Sequence, residues 1–145
     1  MLFRSTINLS DTTISKTYSN VIFTNGTAAV TLKGGESRTI EGLPTGVKYT
    51  ITEAEVSGFQ LTGKTGDTGT ISTTLSEASF TNTRETGNLK LSKVLVSDTA
   101  ADADQEFTFT INLSDTTISK TYSNVIFTNG VASVTLKGGE SRTIE

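Results

Sequence analysis

TINLSDTTISKTYSNVIFTNGTAAVTLKGGESRTIE, residues 6 to 41, returns at residues 110 to 145 with two changes, Thr27 becoming Val131 and Ala29 becoming Ser133. The copies lie 104 positions apart. Solenoid units repeat every ~20 to 50 residues, so this period fits one whole small domain, and the sequence reads as a stretch of a tandem array of beads. Within the repeated stretch, Val21 to Phe23 and Ala28 to Leu32 flank Asn25-Gly26. That dipeptide suits the two-residue turn of a β-hairpin, and Asn129-Gly130 repeats the arrangement. Ser37 to Ile40, Val47 to Glu53, Gly69 to Ser72, Ala78 to Asn82, Leu89 to Val96 and Phe107 to Leu113 are further expected strands. Gly34-Gly35, Gly42 to Gly46 and the Gly- and Thr-rich run from Gly63 to Gly69 are expected to punctuate them. Short strands about ten residues apart, with turn signals between them and no amphipathic helix, predict an all-β chain folded as a β-sandwich.

The expected boundary between beads is Thr83 to Asn88, a short polar segment at which alternation stops and then resumes. Residues 1–86 then form one bead lacking its first strand, and residues 87–145 form the first part of the next. The 145 residues carry 15 acidic and 12 basic side chains, with neither Cys nor His. There is therefore no thiol nucleophile, imidazole base, disulfide framework or ordinary zinc site, and neither a cofactor nor a metal is expected. Scattered basic residues in a mildly acidic chain provide no phosphate-neutralising stripe, so nucleic acid is not an expected partner. No stretch reaches the ~18 apolar residues of a membrane span, and Met1 to Ser5 lacks the apolar region of a signal peptide.

Alternation along a strand assigns each side chain to a face. In Leu89-Lys90-Leu91-Ser92-Lys93-Val94-Leu95, the phase of Leu89, Leu91 and Leu95 includes Lys93. The phase of Tyr49 and Ile51 includes Glu53, and that of Ala78 and Phe80 ends on Asn82. Singly, each is a strand residue reaching solvent, because burying an unpaired charge costs several kcal/mol. Together, a lysine, a glutamate and an asparagine on core-facing phases are the reagents of a spontaneous isopeptide bond. An amine in an apolar setting is neutral and can attack, and a carboxyl kept protonated there can polarise the amide and shuttle protons. Lys93 is the expected nucleophile, Asn82 the electrophile and Glu53 the assisting acid and base. Positioning by the fold is worth about 7 to 11 kcal/mol of barrier, enough for an inert amide to react without an external enzyme.

Gly87-Asn88-Leu89 to Lys93-Val94, Glu106-Phe107-Thr108-Phe109-Thr110, Leu-Lys-Gly-Gly-Glu-Ser, Gly42-Leu43-Pro44-Thr45-Gly46, Tyr49-Thr50-Ile51-Thr52-Glu53 and Phe80-Thr81-Asn82-Thr83 together resemble the Cna B-type repeat of Gram-positive surface adhesins and pilins. The resemblance covers nearly the whole chain, read as a permuted bead. It implies an immunoglobulin-like, prealbumin-like β-sandwich, a bond from first-strand lysine to last-strand asparagine, and a location outside the cell, attached to the wall. By position those residues are Lys93, Asn82 and Glu53. The partners of Lys93 within its own bead would fall beyond Glu145, and the lysine serving Glu53 and Asn82 would precede Met1, so neither bead carries a full triad. The open slots also predict self-association by strand addition.

Gly58 to Thr65 matches the phosphate-loop pattern G-x-x-x-x-G-K-[ST], but that motif needs a following helix and Gly66-Asp67-Thr68-Gly69-Thr70 is turn-rich. Asp98, Asp102, Asp104 and Glu106 lack the spacing of a calcium loop. Outward Thr residues are ordinary on strands, and Asn8-Leu9-Ser10 and Asn112-Leu113-Ser114 fit a glycosylation sequon. The expected function is structural: a stalk repeat, in contact with neighbouring repeats, that projects a tip and bears load. The alternative is a binding module recognising a host glycan or matrix protein through its loops. An enzyme ranks third.

Overall fold

A computed structural model describes all residues, Met1–Glu145. The chain is all-β, with several antiparallel sheets, an arrangement consistent with a β-sandwich. It divides into two compact units, Met1–Glu85 and Thr86–Glu145.

In the first unit, β1 (Leu2–Leu9), β4 (Thr27–Lys33), β5 (Lys48–Glu53) and β7 (Thr68–Thr70) form a sheet ordered β4-β1-β5-β7. A ribbon of β6 (Phe59–Thr65) and β8 (Ser79–Arg84) and a hairpin of β2 (Thr17–Tyr18) and β3 (Val21–Ile22) complete the unit. Alternation builds the core: Ile7 and Leu9 of β1, Ala28 and Val30 of β4, and Tyr49 of β5 point inward and meet Ile14, Val21 and Phe23. Phe3 of β1 meets Phe59 of β6 edge to face, with ring centroids 5.3 Å apart.

The Asn25-Gly26 turn forms as expected. Thr24 and Thr27 exchange backbone hydrogen bonds of 2.9 and 3.0 Å, and Asn25 and Gly26 have φ of 50° and 78°. Gly26 is required for a second reason: a Cβ there would stand 2.8 Å from the Asp11 carbonyl oxygen. Ser19-Asn20, with φ of 49° and 65°, makes a further tight turn between β2 and β3.

In the second unit, β9 (Leu89–Ser92) pairs with β14 (Ser141–Ile144), β10 (Glu106–Asn112) with β13 (Val131–Lys137), and β11 (Thr121–Tyr122) with β12 (Val125–Ile126). Val125, Phe127, Ala132, Val134, Leu136 and Ile144 form its core. The two repeat differences fall on outward positions, since Thr27, Ala29, Val131 and Ser133 all face solvent, and so leave the core unchanged.

Three expectations need correction. The run Gly63 to Gly69 is mostly strand rather than punctuation, with β6 continuing to Thr65 and β7 starting at Thr68. Gly63 sits at a register shift opposite Thr81, and Gly69 lets the Tyr49 ring approach, since a Cβ there would meet the Tyr49 hydroxyl at 2.8 Å. Leu89 to Val96 is regular only as far as Ser92. Ser37 to Ile40 is not a strand, although its identical copy Ser141–Ile144 is. The reason is pairing: Ser141–Ile144 has β9 as its partner, whereas Ser37 to Ile40 pairs with no strand.

Candidate functional site

The first unit carries a groove of about 1170 Å³. Inward residues of β1 and β5 form its floor, Leu32 and residues 33–40 lie along its lining, and Phe80 and Asn82 of β8 also line it. Glu53 closes β5 on the phase of buried Tyr49 and partly buried Ile51, opposite Ser5 of β1. Asn82 lies on the phase of Phe80 and opposite Leu61 of β6. Both are partly buried, whereas Thr50, Thr52, Thr81 and Thr83 between and beside them are exposed. A carboxyl and a carboxamide thus face one partly apolar groove. The Tyr49 hydroxyl, deeper in the unit, donates to the Gly66 carbonyl at 3.0 Å.

Lys93 belongs to the second unit. It is partly buried, on the phase of Leu91 and Leu95, while Lys90, Ser92, Val94 and Val96 are exposed. Its backbone amide donates to the Glu140 carbonyl at 3.0 Å, and its carbonyl accepts from the Gly139 amide at 2.8 Å, extending the β9–β14 pairing by one residue. The ammonium lies 4.2 Å from the centre of the Phe107 ring. The two ion pairs of the chain, Lys64–Asp67 and Lys137–Asp104, do not involve it. A cation above an aromatic face is held at ~0.5 to 2 kcal/mol, which fixes the direction of the side chain.

The structure therefore gathers Glu53 and Asn82 on one groove and sets Lys93 above Phe107 in the other unit. Phe107 is the residue that sequence reasoning passed over. Its signal was available: Phe107 and Phe109 occupy the inward phase of a strand whose other phase is Glu, Thr and Asn. The counterpart of Phe107 in the first unit is Phe3, which lines the groove with Glu53 and Asn82.

The other motifs take ordinary structural roles. Of Gly58 to Thr65, all but Gly58 form strand β6, and Lys64 pairs with Asp67 at 3.4 Å. In the acidic segment, a 3-10 turn spans Ala100–Asp104, Asp102 accepts a 2.5 Å hydrogen bond from Ser97, and Asp104 pairs with Lys137 at 3.6 Å. No helix is long and apolar enough to cross a membrane.

No protein of curated function matches the chain. A family described as a domain of unknown function, DUF7601, matches residues 3–84 and 87–145, on either side of the division between the two units. With both units covered almost end to end, the chain belongs to the DUF7601 family.

Proposed function

We propose that the chain is a stretch of a structural stalk on a bacterial cell surface, an adhesin or pilin outside the cell and attached to its wall. The stalk is built from immunoglobulin-like β-sandwich repeats of the Cna B type with a period of 104 residues. Each complete repeat is welded by an isopeptide bond between a first-strand lysine, here Lys93, and a last-strand asparagine, here Asn82, with Glu53 assisting. The protein turns over no external substrate; the bond forms once per repeat.

The observation that carries this reading is the shared aromatic. The units hold two copies of one segment, and the copies differ in what surrounds them. The lysine lies over Phe107, and Phe3 lines the same groove as the acid and the amide. Carrying the lysine from its place on Phe107 to the matching place on Phe3 brings an amine to the groove that Glu53 and Asn82 line. Glu53 opposes Ser5, two residues along β1 from Phe3, within the reach of diagonal neighbours across a ladder.

In that setting the neutral lysine nitrogen attacks the side-chain carbonyl carbon of Asn82. A C–N bond forms, the bond to the amide nitrogen breaks, and ammonia leaves. Glu53 takes the proton that the amine loses and delivers it to the departing nitrogen. A tie between first and last strands carries tension past the hydrogen-bonded strands between them, which suits a stalk, and a chain without Cys has no disulfide to do so. The test is intact-mass analysis of a complete repeat made by joining Gly87–Glu145 to Gly42–Thr86. The repeat is expected to weigh one ammonia less than its sequence requires, and its Lys93→Ala variant to show no deficit. Calculated masses for both would overturn the proposal.

A further inference from the structure

We infer that Asn25 and Asn129 are latent sites of spontaneous modification, closed to succinimide formation while the loops at residues 11–16 and 115–120 are docked and opened when those loops lift. Asn25-Gly26 and Asn129-Gly130 are the two Asn-Gly pairs of the chain. Glycine has no side chain to shield its amide, so its nitrogen reaches the preceding asparagine more readily than at Asn20-Val21 or Asn82-Thr83. In that reaction the Gly26 nitrogen attacks the side-chain carbonyl carbon of Asn25. A C–N bond forms, the bond to the carboxamide nitrogen breaks, and ammonia leaves with the proton that the glycine amide gave up. Water then opens the five-membered ring, leaving aspartate or, with the backbone rerouted through the side chain, isoaspartate. The chemistry is that proposed for Lys93 and Asn82 with a backbone amide in place of the lysine, and it does not depend on that bond.

The fold leaves the electrophile in solvent and restrains the nucleophile. Asn25 and Asn129 are exposed, whereas Gly26 and Gly130 behind them are buried. The Gly26 amide donates to the Ile14 carbonyl at 2.8 Å, and its carbonyl accepts from the Leu9 amide at 2.7 Å. Gly130 makes the same two bonds, to Ile118 at 2.8 Å and from Leu113 at 2.7 Å. One residue earlier, the amide of Asn25 donates to the Ser15 hydroxyl and that of Asn129 to the Ser119 hydroxyl, each at 2.9 Å. The peptide planes on both sides of each asparagine are thus held by the loop. A nitrogen whose proton is engaged in this way can neither turn towards the side chain nor shed that proton.

The loop that supplies these acceptors is lightly tethered. In the first unit Ile14 is its buried anchor, Asp11 folds it through the amide and hydroxyl of Thr13, and Thr12, Thr13, Ser15 and Lys16 are exposed. A segment with one buried side chain opens at a free energy below that of the whole unit, and each opening frees the glycine amide. The product does not fit the closed turn. Isoaspartate lengthens the backbone where Asn25 and Gly26 hold φ of 50° and 78°, and where a Cβ on Gly26 would already stand 2.8 Å from the Asp11 carbonyl oxygen. Openings of the loop therefore accumulate as a permanent change at the turn.

The test incubates the whole chain and a synthetic peptide, Val21–Leu32, at mildly alkaline pH and follows isoaspartate by peptide mapping. Intact mass is not sufficient, since a succinimide has lost one ammonia, as an isopeptide has. Modification at Asn25 is expected in the peptide and, in the chain, at a rate lower by about tenfold or more. Ser15→Ala, at an exposed position, removes the acceptor of the Asn25 amide. It should speed Asn25 about two- to tenfold and leave Asn129 unchanged, and Ser119→Ala should do the reverse. Equal rates in chain and peptide, no acceleration at Asn25 by Ser15→Ala, or equal acceleration at both asparagines would each overturn the inference.

Discussion

Ile40 and Ile144 are the same side chain in the same local sequence, Ser-Arg-Thr-Ile-Glu, so alanine at each position measures context alone. Ile144 is 7% exposed, packs into the core of its unit, and sits on a strand covered by β9. Removing it loses the transfer free energy of three carbons, at about 0.8 kcal/mol each, and leaves a cavity that its neighbours fill only in part, for a total of about 3 to 4 kcal/mol. Ile40 lines an open groove. Truncating it loses a fraction of the transfer term and creates no void, since water already reaches the site, so about 1 to 2 kcal/mol is expected. Native-state amide exchange on the full chain reads the two effects separately, through β4 for the first unit and β13 for the second. Complete loss of β13 protection in Ile144→Ala, with β4 protection kept, would be the same result in its extreme form. Equal losses in the two variants, or a larger loss from Ile40→Ala, would refute the reasoning that the missing strand neighbour distinguishes the units.

Three other outcomes follow from particular contacts. Gly26→Ala and Gly130→Ala each force a Cβ to within 2.8 Å of a carbonyl oxygen at φ near 80°, and denaturant unfolding should show each variant destabilised by more than about 1 kcal/mol. The Thr13 hydroxyl and amide both donate to the Asp11 carboxylate, at 2.5 and 2.9 Å, and hold its carboxyl below the ordinary value of 3.8. Because the folded value is the lower one, the small contribution of this exposed turn is complete above pH 3.8 and is lost as pH falls through the depressed value. An NMR titration of Asp11 should show the depression, and Thr13→Ala should reduce it. In the joined repeat, the isopeptide would close a loop of about 90 residues, worth roughly 4 to 5 kcal/mol by the chain-entropy argument and roughly 20 to 35 °C in Tm for a domain of this size. Calorimetry of the repeat beside its Asn82→Ala variant checks this, and coincident melting would count against the bond.

Much of the molecule can be read from the sequence because strand alternation is a local signal. The phases that hold Glu53, Asn82 and Lys93 can be counted along the chain, and in the structure each is the partly buried phase of its segment. Asn25-Gly26 is likewise self-contained, since both positive φ values are native to those residue types. What is hard to read is what depends on a neighbour distant in sequence. Ser37 to Ile40 has a strand-like sequence but needs a partner to become one, as its copy shows. Gly63 and Gly69 look like turn residues because their roles, a register shift and an approach by Tyr49, involve other strands. Ser19-Asn20 lacks the Gly that usually marks a tight hairpin, yet both residues adopt positive φ. The Lys93–Phe107 contact joins two segments that sequence alone does not bring together.

The central claim is that one lysine and one asparagine become a single covalent unit. The most direct measurement is fragment mapping of the joined repeat, by protease digestion and tandem mass spectrometry. A branched peptide pairing the Lys93 segment with the Asn82 segment, its branch point at those two side chains, is the result the account predicts. Recovery of both segments as separate linear peptides of full mass would contradict it.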